Sequence, residues 1–100
     1  MPTEKIKTIS KSSTNTKLPD LYKVLILNDD YTPMEFVVLV IQSIFKKSSD
    51  EATRIMLKIH NEGMGVCGIY PHDIAEMKMN QVLKLAKDSE HPLQSIIEKI

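Results

Sequence analysis

The stretch Tyr22-Lys23-Val24-Leu25-Ile26-Leu27-Asn28-Asp29-Asp30-Tyr31-Thr32-Pro33-Met34-Glu35-Phe36-Val37 changes its periodicity part-way, and that change decides the fold. Residues 22–27 are rich in branched apolar side chains, which suits a strand buried in a sheet. Asn28, Asp29 and Asp30 end the run, because their side chains imitate backbone turns. Thr32 is then a good helix N-cap and Pro33 suits the first helical position. Glu35 stands three residues after Thr32, the spacing of a capping box. Beyond it Phe36, Val37, Val40, Ile41, Ile44 and Phe45 fall on one wide apolar face. A strand therefore runs through a polar loop into a helix. That helix is predicted to end near Lys46 and Lys47, whose charges suit a helix C-terminus.

The rest of the chain extends the pattern. Ser48 and Glu51 repeat the capping-box spacing, and Ala52, Ile55, Met56 and Ile59 form the inward stripe of a second helix ending at Gly63. Residues 64–70 alternate loosely and read as a second strand. Asp73 and Glu76 mark a third helix, with Ala75, Met79, Val82, Leu83 and Ala86 at helical spacing. His91-Pro92 stops it, since proline disfavours helical backbone in the residue before it. Residues 93–100 are the last strand, centred on Ile96 and Ile97. The order is β-α-α-β-α-β. Three strands cannot bury both faces of a sheet alone, so the expected fold is α+β. It is a single two-layer domain over residues 20–100, with a small antiparallel three-stranded sheet packed against three helices.

Composition sets outer bounds. Thirteen basic and thirteen acidic residues cancel, 42% of the 100 residues are hydrophobic and 26% are charged, an ordinary globular mix. A neutral chain lacks the basic surplus that drives nucleic-acid binding through counterion release. The longest apolar run, residues 36–41, is far below the roughly 18 residues of a membrane span. A single cysteine, Cys67, suggests a reducing compartment, and the N-terminus has no apolar core of a secretory signal. The neutrality is uneven: residues 1–19 carry four lysines (Lys5, Lys7, Lys11, Lys17) against Glu4, leaving twelve acids against nine bases in the remainder. Those first 19 residues are polar and read as a flexible extension.

Chemistry concentrates at the first loop. Turn formation alone accounts for Asn28-Asp29-Asp30, yet two carboxylates and an amide oxygen beside a helix start also suit a cation. His60, one turn after Met56 at the edge of the second helix's stripe, reads equally as a boundary histidine or as an acceptor. Asp29, Asp30 and His60 could offer metal ligands, but no paired His or Cys spacing supports that reading. Cys67 has no acid–base partner at recognisable spacing, and its glycine-flanked run lacks the order of a phosphate-binding loop. No catalytic set assembles. Methionine fills core gaps and also lines adaptable binding surfaces. Met34, in the first helical turn beside the acceptor-rich loop, would suit a ligand that joins a cation to a hydrophobic group.

These residues resemble the signature of the ClpS family, adaptors of the ATP-dependent Clp protease. The similarity covers the stretch quoted first and continues through Ala52-Thr53, Met56-Leu57, Ile59-His60, Gly63 and Val66-Cys67-Gly68. It runs on through Ala75-Glu76, Lys78 and Glu90-His91-Pro92-Leu93. The extension lies outside it. The resemblance implies a small monomeric α+β domain without enzymatic activity, cofactor or metal, in the bacterial cytoplasm or a plastid. It implies no nucleic-acid or membrane partner. It implies binding of N-degrons, proteins with a free N-terminal Leu, Phe, Tyr or Trp. These would be delivered to a ClpA- or ClpC-type AAA+ unfoldase that feeds the ClpP peptidase, with the extension taking part in delivery.

By the same resemblance, Asn28, Asp29 and His60 would hold the free amino group and Thr32 would support the substrate beside them. Met34, Val37, Met56, Ile59 and Leu93 would line a side-chain pocket with Met34 as its gate. Asp73 and Lys78 would lie on the face that meets the unfoldase. An α-ammonium has three donors, and the Asn28 amide oxygen, the Asp29 carboxylate and a neutral His60 nitrogen are matching acceptors. The alternative is a protein-interaction module of the ribosomal-stalk C-terminal-domain type, which shares this topology. It predicts no acceptor cluster in the first loop.

Overall fold

The computed structural model of the chain describes residues 18–100, so the expected extension falls outside the described residues except at its last two positions. Strand β1 (Leu21–Leu27) leads to helices α1 (Met34–Phe45) and α2 (Ser49–Glu62). Strand β2 (Met64–Pro71), helix α3 (His72–Asp88) and strand β3 (Gln94–Lys99) follow. This is the expected β-α-α-β-α-β order. The sheet runs β2-β1-β3 with both pairings antiparallel, so β1, the most continuously apolar strand, is the central one.

Helices cover one face of the sheet. Val24, Ile26, Cys67 and Leu93 are buried against Val37, Val40, Ile41, Ile44 and Phe45 of α1 and Ala52, Ile55, Met56 and Ile59 of α2. Ala75, Val82 and Ala86 of α3 complete the core. Leu25 points to the opposite face, which no helix of the described residues covers, between its cross-strand partners Val66 and Ile96. Ser95 is the one buried polar residue among those described, and its hydroxyl donates to the Leu25 carbonyl at 2.7 Å, so it is satisfied. Val24 pairs with Gly68 while Leu25 pairs with Val66, leaving Cys67 as the extra residue of a β-bulge. The bulge shifts the alternation of β2 by one, so Val66 and Ile69, three apart, both face outward.

Two helix ends are built as the sequence predicts. The Ser48 hydroxyl accepts from the Glu51 N–H at 3.1 Å. Gly63 ends α2 in a left-handed conformation, φ 92°, with its N–H on the Ile59 carbonyl at 2.9 Å. Two other helix starts differ from expectation. At α1 the cap position belongs to Pro33, without a side-chain cap, and Thr32 turns its hydroxyl back to Asp29 instead. The physical reason is competition for the hydroxyl: donating to an ionised carboxylate is a charge-assisted hydrogen bond, stronger than the neutral one it would accept from a helix N–H. At α3, Pro71 holds the cap position, again without a side-chain cap, and Asp73 sits in the first turn.

The end of α1 also has a tertiary contribution. Lys46 adopts a left-handed backbone, φ 59°, that terminates the helix. Lys78 of α3 then donates to the Ile44 carbonyl at 2.9 Å, satisfying one of the helix's free C-terminal acceptors.

Candidate functional site

The loop between β1 and α1 is shaped by one side chain. Asp29 Oδ1 accepts the N–H groups of Tyr31 and Thr32, each at 2.8 Å, and its Oδ2 accepts the Thr32 hydroxyl at 2.8 Å. Partial burial pushes the Asp29 carboxyl up. The N–H groups of Thr32 and Tyr31, the Thr32 hydroxyl and nearby His91 pull it down by more, so it lies below its ordinary value. It is therefore an anion at neutral pH. The Asn28 N–H donates to the Gly63 carbonyl at 2.9 Å, which ties this loop to the turn at the end of α2.

That tie brings the end of α2 beside the loop and closes a cavity of about 210 Å³. Its polar side is Asn28, Asp29, Asp30, Thr32 and His60, and its apolar side is Met34, Val37, Met56 and Ile59. Val37, Met56 and Ile59 are buried core residues, so the apolar side is an extension of the core. Met34 is 42% exposed in the first turn of α1, at the rim. Gly65 of β2 makes room behind Ile59: a Cβ there would lie 2.8 Å from Ile59 Cγ1.

Of the residues expected at the amine site and pocket, eight meet in this one cavity. Leu93 does not line it. It is 2% exposed in the core, immediately before β3. Asp30 does line it, although the family pattern assigns it no role; the adjacent pair of acids was the signal for it. His91 reads from the sequence only as part of the stop that ends α3. Its ring packs on Phe36, centroids 4.5 Å apart, and its charge bears on Asp29. Nothing in the local sequence marks that contact.

Asp73 and Lys78 lie elsewhere, on α3. The Asp73 side chain is fully exposed, whereas Lys78 is half-buried, bonded to Ile44 and 5.9 Å above the Tyr70 ring. Asp29, Asp30 and His60 do not form a convergent ligand set. Among the described residues the group that does is His72, Asp73 and Glu76, all exposed.

The cavity thus sets polar side chains and an anion against an apolar wall. The family model described as "ATP-dependent Clp protease adaptor protein ClpS" matches residues 17–96. The chain belongs to the ClpS family. It is 52% identical over 91 residues to the ATP-dependent Clp protease adapter protein ClpS of Brucella canis, covering 91% of this chain and 78% of that one. To the ClpS of Hyphomonas neptunium it is 57% identical over 84 residues, 84% of this chain and 71% of the relative. The solved structure of Agrobacterium tumefaciens ClpS2 bound to L-phenylalaninamide superposes with a TM-score of 0.81 at 41% identity. It covers 83% of this chain and 100% of that one. The acceptor loop is the feature that the ribosomal-stalk alternative does not predict.

Proposed function

We propose that this chain is an N-degron adaptor. It binds proteins through a free N-terminal Leu, Phe, Tyr or Trp and delivers them to a ClpA- or ClpC-type unfoldase for degradation by ClpP. The observation that carries this reading is the single cavity in which Asn28, Asp29 and His60 face Met34, Val37, Met56 and Ile59. The ligand of the ClpS2 structure, L-phenylalaninamide, has the matching chemistry, a free amine one carbon from a benzyl side chain.

On this reading the α-ammonium donates to the Asn28 amide oxygen, the Asp29 carboxylate and His60. Among the described residues Asp29 Oδ2 accepts only the Thr32 hydroxyl, which leaves it capacity for a further donor. The Thr32 hydroxyl holds the carboxylate in place. A blocked N-terminus has lost its charge and all but one of its donors, leaving acceptors unpaired at about 1–3 kcal/mol each. The apolar wall contributes roughly 1.5–3 kcal/mol for one buried Leu- or Phe-sized side chain. Met34 restricts the mouth, and Leu93 supports the wall from behind. No residue is assigned a catalytic role. Asp73 on the exposed first turn of α3 meets the unfoldase, and Lys78 places that helix against α1.

The test is a pair of peptides that begin with Leu or Phe, each in free and Nα-acetylated form. Free peptides bind and acetylated ones do not. Equal affinity for both forms overturns the proposal.

A further inference from the structure

Helix α2 has a second working side. Away from the amine cavity, Arg54, Ile55 and Lys58 face strand β2 and, with Lys47 from the α1–α2 connection, line a groove of about 350 Å³. Its other wall is β2, including Val66 and Ile69, which are 38% and 52% exposed.

Three features of the groove point the same way. Among the described residues β2 is an edge strand, paired only with β1, so one side of its backbone offers N–H and C=O groups to an added strand. The bulge at Cys67 turns both Val66 and Ile69 outward, giving an added strand apolar contacts. Three cations line the groove against one acid, Glu51, and that acid is already engaged by Arg54. Among the described residues no ion pair involves Lys47 or Lys58. Cys67 forms the floor and takes no part in chemistry: burial pushes its thiol up to about 12, against the pull of Lys47.

We propose that this groove docks an extended acidic segment of a partner polypeptide, which adds as a strand along β2 with its carboxylates beside Lys47 and Lys58. Charge complementarity selects that occupant. The chain's own first 19 residues carry four lysines against one acid and would be repelled. A second copy pairing edge to edge would set two groups of cations against each other. The inference is independent of the amine-site reading, because the two sites use opposite sides of α2.

The probe is a short Nα-acetylated, C-amidated peptide alternating glutamate and valine, titrated into the full ¹⁵N-labelled chain. Acetylation keeps it out of the amine cavity. Amide signals of β2 and of Ile55 and Lys58 shift, while those of Asn28 and Thr32 do not. The Lys47→Glu/Lys58→Glu variant, altered at one part-buried and one exposed side chain, weakens binding about fivefold or more. An isosteric glutamine–valine peptide binds more weakly by a similar factor. A glutamate–valine peptide N-methylated at alternate residues loses binding, since it cannot complete a ladder. No shifts at β2, shifts confined to the amine cavity, equal affinity for the glutamine peptide, or undiminished binding of the N-methylated peptide each overturn the proposal. Self-association of the free chain through β2 does so as well.

Discussion

Asp29 grips Thr32 at two atoms: Oδ1 takes its N–H and Oδ2 its hydroxyl, both at 2.8 Å. The residue expected to cap α1 instead orients the carboxylate that the adaptor reading places against a substrate's amino group. Replacing Asp29→Asn removes the charge and one acceptor while keeping the shape. Affinity for a Leu-initiated peptide falls by about 1.5–3 kcal/mol, the range for hydrogen bonds to charged groups. Thr32→Val leaves the backbone donor in place and costs less. Titration calorimetry ranks the two variants, and a Thr32→Val loss larger than that of Asp29→Asn contradicts the assignment.

Stability carries the same signature. The Asp29 carboxyl lies below its ordinary value because three donors favour the anion over the opposing effect of burial. A depressed folded value stabilises the fold above the unfolded aspartate value, about 3.9. That contribution is lost as the pH falls through the folded value. Urea midpoints of the parent chain and Asp29→Asn therefore differ near neutrality and converge in acid. A difference that persists unchanged at low pH refutes the linkage.

Met34 is exposed at the rim and contributes little to the core. Met34→Ala leaves the urea midpoint nearly unchanged and widens the mouth, so peptides beginning with Ile or Val, whose bulk starts at Cβ, gain affinity relative to Leu. Competition binding with the three peptides reads the ratio. An unchanged ratio removes Met34 as the gate.

Gly65 supports the cavity from the sheet. In Gly65→Ala the new Cβ meets Ile59 Cγ1 at 2.8 Å and drives that side chain toward the ligand space. Overpacking of this kind costs about 1–3 kcal/mol of stability. Because the cavity shrinks, Phe-initiated peptides lose more affinity than Leu-initiated ones. Equal losses would place Ile59 outside the side-chain pocket.

Lys78 and Asp73 separate by role. Lys78→Ala leaves the Ile44 carbonyl without its donor and lowers stability by about 0.5–1.5 kcal/mol. Asp73→Asn alters an exposed first-turn charge and its contact with His72, and leaves stability nearly unchanged. Unfoldase binding nevertheless weakens in Asp73→Asn. Loss of binding confined to Lys78→Ala, in proportion to its lost stability, would remove Asp73 from the interface.

Much of this molecule is local and therefore readable along the chain. The branched run of β1, the apolar faces of α1 and α2, the Ser48 cap, the Gly63 stop and the His91-Pro92 break depend on neighbours within a turn or two. Together they determine the element order and the α+β class. The acceptor-rich loop is visible for the same reason, since Asn28, Asp29 and Asp30 are adjacent. What the tertiary structure decides is which surfaces meet. The strand order β2-β1-β3 leaves β2 as an edge, and the Asn28–Gly63 hydrogen bond brings His60 to the loop. Leu93 goes into the core and not the cavity lining, and Lys78 crosses to close α1. Periodicity reports which face of an element is apolar. Which residues from other elements complete that face depends on packing between segments tens of residues apart, and no local pattern contains it.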